Sequence, residues 1–216
     1  MTKTIGVIQV KGGAGRSTVS TNLAGELSKH GKTVLIDCDM PQGTSASWFA
    51  VRDQAGKAGN LIADTATNHR ELVDKVEQHQ GADFIVIDGP PRIAELTRAI
   101  LVLADLCLVP VGASAAEIWA TSDLLTLIDE AKKLKRVNAR MVWTRYRPHT
   151  RLAQELSELA SKELGLASLT NSMGMRVAYM EALGGGMTGA ELPEPSAKAE
   201  VRLLTEEVKK LLRKKS

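Results

Sequence analysis

The sequence predicts an α/β protein with a predominantly parallel, twisted sheet and helices on both faces. Three observations predict it. Strand-like and helix-like runs alternate along all 216 residues. The strand-like runs, such as Phe84-Ile85-Val86-Ile87 and Leu106-Cys107-Leu108-Val109, are apolar without interruption, as strands buried on both faces are. A glycine-rich turn, Gly12-Gly13-Ala14-Gly15, joins the first strand-like run to the first helix-like one.

The elements follow in order. Thr4 to Val10 reads as a strand and Ser17 to about His30 as a helix. Thr33 to Asp37 is the second strand, and Leu61-Ile62-Ala63 is a strand or loop. A helix is expected over Arg70 to Gln80, a strand over Phe84 to Asp88 and a helix over Ala94 to Leu103. Leu106 to Val111 is a strand and Ala115 to Leu134 a long helix. Asn138 to Thr144 reads as a strand, Thr150 to Leu164 as a helix and Ala167 to Thr170 as a short strand, with a helical end beyond. The loosest segments are Gln42 to Ser47, Gly184-Gly185-Gly186 and Pro193-Glu194-Pro195. No linker or internal repeat divides the chain, so 1–216 is expected to form a single domain.

Composition excludes several classes. A 44% hydrophobic content argues against disorder. Two cysteines, Cys38 and Cys107, lie in apolar runs without metal-site spacing, and His30, His69, His79 and His149 show no ligand spacing either. No apolar stretch reaches membrane-spanning length, and Met1-Thr2-Lys3 leads straight into a strand without a signal-peptide pattern. A cytoplasmic protein is the expectation. The net charge of +3 is mild, but basic residues cluster. One cluster is Lys132, Lys133, Lys135, Arg136, Arg140, Arg145, Arg147 and Arg151; another is Lys198, Arg202, Lys209, Lys210, Arg213, Lys214 and Lys215. Such clusters serve either as solvated faces or as contacts to an acidic polymer or membrane.

The chemistry concentrates at strand ends, where open parallel sheets bind ligands. Val10-Lys11-Gly12-Gly13-Ala14-Gly15-Arg16-Ser17-Thr18 is a phosphate-binding loop between a strand and a helix. Its glycines let backbone N–H groups approach a polyphosphate, and a hydroxyl after the basic residue binds Mg²⁺. The basic residue is Arg16 in place of the usual lysine. Phe84 to Asp88 is an apolar strand ending in acid, the Walker B pattern, with Asp88 near metal-bound water. Asp37 and Asp39 fall two apart at the end of the second strand, on one side of it by alternation. Like charges so close call for a cation, or for one acid to bond the following loop, and the latter is expected of one of the two.

Lys11-Gly12-Gly13-Ala14-Gly15-Arg16-Ser17 resembles the deviant Walker A box, KGGxGK[ST], of the ParA/MinD branch of P-loop ATPases. Asp37 to Gly43 resembles that branch's D-x-D-P-Q-G switch, with Met40 inserted before Pro41, and Asp88-Gly89-Pro90-Pro91 resembles its D-x-P-P segment. Val109-Pro110-Val111, followed by small residues and a helix, also fits. The resemblance spans essentially the whole chain and is strongest to the small ParA proteins of plasmid partition.

It implies an ATPase that uses ATP and Mg²⁺, yields ADP and forms a homodimer with ATP. Lys11 would reach the partner subunit's phosphates. Gly12, Gly13, Ala14 and Gly15 would cradle the phosphates together with Arg16, and Thr18 would contact the α-phosphate. Ser17 would ligate Mg²⁺, with Asp39 and Asp88 acting on it through water. Asp39 would also position the attacking water. Thr144 and Arg145 lie where the family has Asn-Arg beside the adenine. Arginine keeps the charge of lysine but is longer, planar and forked, so the expectation is nucleotide binding with slowed hydrolysis.

Three partner classes follow from the resemblance. A partition ATPase would bind DNA non-specifically and be released by a ParB-type partner. A MinD-like switch would use a membrane, through an amphipathic final helix whose Val201, Leu204, Val208 and Leu211 share a face. Packing on the sheet is the alternative for that face. A third class positions other cargo, such as a protein microcompartment. A nitrogenase-type reductase is disfavoured for want of cluster-ligating cysteines. Trp48 follows the switch and would report nucleotide state; Trp119 and Trp143 are expected to pack on the sheet. Met173, Met175, Met180 and Met187 are expected to fill core or a partner surface.

Overall fold

The computed structural model describes residues 1–91, 94–148 and 150–213. His149, Lys214 and Lys215 lie outside them. The six strands are β1 Lys3–Val7, β2 Thr33–Asp37, β3 Leu61–Thr65, β4 Phe84–Asp88, β5 Leu106–Gly112 and β6 Ala139–Thr144. They form one parallel sheet in the order β3-β2-β4-β1-β5-β6. Strand alternation sorts the apolar side chains onto two faces. Val34, Ile36, Ile85, Ile87, Val109 and Val111 enter one core, while Ile5, Val7, Leu35, Val86 and Leu108 enter the other.

The first core is closed by α3 His69–Gln78, α4 Ala94–Leu103, α5 Ala115–Lys132 and α6 Arg151–Leu164. The second is closed by α1 Arg16–Leu27, α2 Thr44–Gln54, α7 Val177–Gly184 and α8 Pro195–Arg213. The N-termini of α3, α5 and α6 are capped as their sequences suggest, by Asn68, Ser114 and Thr150 side chains.

Several expectations are corrected. Ala167 to Thr170 is no strand; its pairing to the edge strand β6 is confined to one isolated bridge, Ser168 to Met141, flanked by bonds from the Met141 N–H to the Ala167 carbonyl and from the Leu169 N–H to the Met141 carbonyl. The polar stretch Gln42 to Ser47 is loose only as far as Gly43, since α2 starts at Thr44 with the Asp37 carboxylate accepting from the Ala46 N–H. Small polar residues read as loop by composition, yet the Asp37 carboxylate takes one of the free donors at this helix N-terminus. Trp119 is 59% exposed on α5, whereas Trp143 is buried and stacks on Tyr146 at 5.2 Å. Trp48 is buried on α2, its indole donating to the Met187 carbonyl at 2.8 Å.

The final helix settles one alternative. Val201, Leu204, Val208 and Leu212 of α8 are buried against the second core, so its apolar face is occupied by its own protein. Leu211 is only partly buried beside them. Among the described residues, no helix is long and apolar enough to cross a membrane. The basic cluster from Lys132 to Arg151 is not one patch. Lys132 to Arg136 lie ahead of β6 and Arg145 to Arg151 beyond its end, so they sit at opposite ends of the strands.

Candidate nucleotide site

The strand order sets β2, β4 and β1 side by side, and their C-terminal ends carry the three loaded segments. Register brings Val7, Asp88 and Asp37 level across them. The loop after β1 turns into α1 through Gly13 at φ 76° and Gly15 at φ 95°. That left-handed geometry suits glycine and aims successive N–H groups at one point. Thr144 at the end of β6 anchors the loop, its hydroxyl donating to the Ala14 carbonyl at 2.9 Å. Gln9, which sequence reasoning passed over, anchors its start. The buried amide donates to the Pro110 carbonyl at 3.1 Å and to the Thr121 hydroxyl at 2.9 Å, and accepts from Val10 N–H.

The two acids of the second strand divide. β2 ends at Asp37, so strand alternation does not carry on to Asp39. Asp37 is buried, and its two oxygens accept from the Asp39 and Ala46 N–H groups, both at 2.9 Å. It is the acid that bonds the following loop. Asp39 faces the phosphate-binding loop instead, 3.3 Å from the Arg16 guanidinium. Met40-Pro41, at the inserted residue, is a cis peptide.

Asp88 is fully buried. Ser20 donates to one carboxylate oxygen at 3.1 Å, while the other has no hydrogen-bond partner. Burial, followed by the level Asp37 carboxylate, pushes its pKa up to about 6. The Ser17 and Ser45 hydroxyls and the Arg16 charge pull the other way, though the Ser45 hydroxyl closes no well-formed hydrogen bond. A buried acid with an open oxygen beside two hydroxyls fits a cation and its water. Among the described residues, no group of three or more His, Cys, Asp or Glu forms a metal cage by itself. A cation here therefore needs ligands from elsewhere, such as phosphate oxygens.

The two cations of the loop behave differently. Lys11 is part-exposed and its ammonium meets Glu117 at 2.8 Å. The same Glu117 oxygen accepts from Arg145 at 3.2 Å. Glu117, in the first turn of α5, was not anticipated from sequence. Arg145 is the non-glycine residue with positive φ, 53°, among the described residues. Arg16 is 6% exposed. Its Nε donates to the Gly89 carbonyl, and one terminal nitrogen donates to the Gln9 and Lys11 carbonyls, at 2.7–2.8 Å.

A slot of about 220 Å³ adjoins the loop, lined by Gly13, Gly15, Thr18, Thr144, Arg145 and a segment from Met173 to Met180. Thr18, Thr144 and Arg145 thus share a cavity with the loop. The opposite wall was missed. Met173 is buried core as expected, but Met175 and Met180 are each 68% exposed beside the slot. Glu200 of α8 fixes this wall, accepting from Arg176, the Tyr179 hydroxyl and Gly174 N–H. Burial opposes its ionisation, but these hydrogen bonds hold the carboxyl below the usual range.

Cys38 and Cys107 are buried free thiols. Burial, then nearby carboxylates, pushes Cys38 up, and burial pushes Cys107 up to about 12. Both are poor cluster ligands.

A deviant Walker A loop on an all-parallel, doubly covered sheet, with acids at the neighbouring strand ends, defines a P-loop ATPase of the ParA/MinD type. Residues 3–145 match the family model of the ATPase MipZ, and the chain belongs to that family. ATP is accordingly its nucleotide, with Mg²⁺. The chain is 28% identical over 193 residues to the maintenance of carboxysome distribution protein A of Halothiobacillus neapolitanus, covering 88% of this chain and 87% of that one. It is 27% identical to the chromosome-partitioning ATPase Soj of Thermus thermophilus, covering 94% of each. Among solved structures, apo McdA of Cyanothece superposes with a TM-score of 0.80 at 18% identity, covering 96% of this chain and all of that one. MinD of Pyrococcus horikoshii with Mg-ADP gives 0.75 at 17%, covering 99% and 98%.

Proposed function

We propose that this chain is an ATP-switched positioning ATPase that dimerises with ATP, binds DNA without sequence preference and is released when a partner protein stimulates hydrolysis. The observation that carries it is Lys11. Its ammonium sits at the mouth of the loop, part-exposed and held by one carboxylate, where a second subunit could receive it. Gly12 to Gly15, Ser17 and Thr18 would hold the phosphates and Mg²⁺, with Asp88 and Asp39 acting through water. The 220 Å³ slot between Thr144, Arg145 and Met180 would take the base. Mg²⁺ would supply charge neutralisation at the phosphates. Hydrolysis would be slow, because the Arg16 guanidinium is bound to three carbonyls rather than free to follow the transition state.

DNA binding would use cations that no carboxylate neutralises directly. Arg147, Lys198, Arg202 and Lys210 are exposed and make no ion pair among the described residues, whereas Arg151 pairs with Glu155 and Lys209 with Glu206. The decisive experiment is DNA binding with ADP, ATP and AMPPNP across a salt series. Retention with ATP or AMPPNP that falls steeply with salt is expected. Equal binding with ADP, or binding indifferent to salt, would refute the DNA-switch reading. Steady-state hydrolysis by Arg16→Lys tests the slowing; a rate equal to the unsubstituted protein's removes it.

Cargo other than a plasmid is the second reading. Likeness to McdA in both sequence and fold favours a protein microcompartment. Membrane binding through the apolar face of α8 is disfavoured, since that face is buried. A cytoplasmic, nucleoid-associated location would follow from DNA binding.

A further inference from the structure

Arg16 is the residue whose placement the family pattern does not explain. It opens α1 at the phosphate cradle, yet its guanidinium folds beneath the loop. Five N–H donors radiate from it in one plane. Nε reaches the carbonyl of Gly89 after β4 at 2.8 Å. NH1 reaches the carbonyls of Gln9 at 2.8 Å and Lys11 at 2.7 Å, on either side of the turn into the loop. NH2 reaches the Asp39 carboxylate at 3.3 Å and keeps its second donor in reserve.

These contacts are unequal. Three short charge-assisted bonds to backbone fix the plane of the group. The bond to Asp39 is long, and Asp39 is the more exposed partner, at 18% against 6%. A competing anion at the loop therefore displaces Asp39 before it disturbs any carbonyl. A lysine ammonium, one point charge on a flexible stem, cannot span the same four acceptors.

We infer that Arg16 is a positioning residue that distinguishes nucleoside triphosphate from diphosphate: without nucleotide its NH2 edge holds Asp39, and the terminal phosphate of a triphosphate takes Asp39's place there. The guanidinium stays on its three carbonyls throughout. The Asp39 carboxylate is thereby withheld until the terminal phosphate arrives, and then freed for water. The freed segment is the one whose Asp39 carbonyl accepts from Gly43 and leads into α2. This inference rests on the nucleotide-switch reading above and gives its arginine a function.

A double-mutant cycle read by equilibrium binding of Mg²⁺–AMPPNP and Mg²⁺–ADP tests it. Asp39→Asn in the otherwise unchanged protein is expected to tighten AMPPNP about fivefold or more while moving ADP less than twofold. In an Arg16→Lys background the same change should shift the two nucleotides alike. Equal shifts for both nucleotides in the Arg16 protein overturn the inference. So does an AMPPNP-selective gain of the same size with lysine present, which is simple charge removal. If Arg16→Lys does not fold, Arg16→Gln takes its place in the cycle. Failure of the unsubstituted protein to bind either nucleotide would overturn the switch reading itself; binding without the coupling overturns only this inference.

Discussion

Lys11 and Arg16 stand at the two ends of one glycine turn, five residues apart, and the fold treats them oppositely. The Lys11 side chain is 38% exposed and held by a single carboxylate. Arg16 is 6% exposed and donates four bonds to its own chain. The difference follows from where each sits. Lys11 lies before the turn, whereas Arg16 opens a helix that packs against β4 and β1. The charge at the first position stays open to solvent; the charge at the second is tied to the backbone of its own site.

Removing Arg16 should break that organisation. Arg16→Ala leaves three carbonyls and Asp39 without their donors, and a loss of about 3–5 kcal/mol is expected, as for a broken buried pair. Denaturant unfolding checks it. A loss under about 1 kcal/mol would make Arg16 as peripheral as Lys11 and erase the contrast.

The acids repeat the contrast. Both Asp37 oxygens are used by backbone N–H groups, while one Asp88 oxygen is open. Asp88 has a folded-state pKa of about 6, above its ordinary value of 3.8. The folded state then binds more protons than the unfolded state between those values, so stability declines as pH rises through that window. At 1.36 kcal/mol per unit the decline amounts to about 3 kcal/mol. The difference between the unfolding curves of the unsubstituted protein and Asp88→Asn should slope downward from about pH 4 to 6 and be flat above. A flat difference throughout would mean that Asp88 is not the strained acid.

How far the sequence shows these contrasts depends on distance along the chain. The loop, Asp37, Asp39 and Asp88 were legible because each lies at a strand end within a short local pattern, and α/β alternation brings strand ends together. The slot beside the loop was not. Its outer wall is made by Gly174, Arg176 and Met180, whose spacing matches no ligand pattern, and Glu200 of α8 holds the first two. Glu117 was missed for the same reason: its partners Lys11 and Arg145 are 106 and 28 residues away. Arg16 was seen but not placed, because nothing local says that a guanidinium will fold under its loop. The basic run from Lys132 to Arg151 misled, since β6 carries its two halves to opposite ends of the sheet.

Glu200 extends the comparison to the wall of the slot proposed to take the base. It is a saturated, own-chain group like Arg16, but with part of its charge in solvent. Glu200→Ala is expected to cost about 2 kcal/mol, less than Arg16→Ala, for the charge-assisted bonds to Arg176 and Gly174. It should also weaken AMPPNP and ADP equally, since both carry the same base. Selective loss of one nucleotide would move Glu200 from the base wall to the phosphate end.

Lys11→Ala should have the smallest effect on folding and the most telling one on assembly. Its ion pair with Glu117 is part-exposed and screened, so removing it should change stability by less than about 1 kcal/mol. Glu117 keeps Arg145 as a partner, so the deletion leaves no uncompensated buried charge. Nucleotide should still bind, because the loop's backbone donors and Arg16 remain. What should disappear is the AMPPNP-dependent dimer, measured by light scattering at fixed protein concentration. Arg16 cannot replace Lys11 in that role, because its guanidinium is buried and anchored on three carbonyls of its own subunit. If Lys11→Ala still dimerises with AMPPNP, the exposed lysine is a surface charge like its neighbours, and the two ends of the loop differ in burial alone.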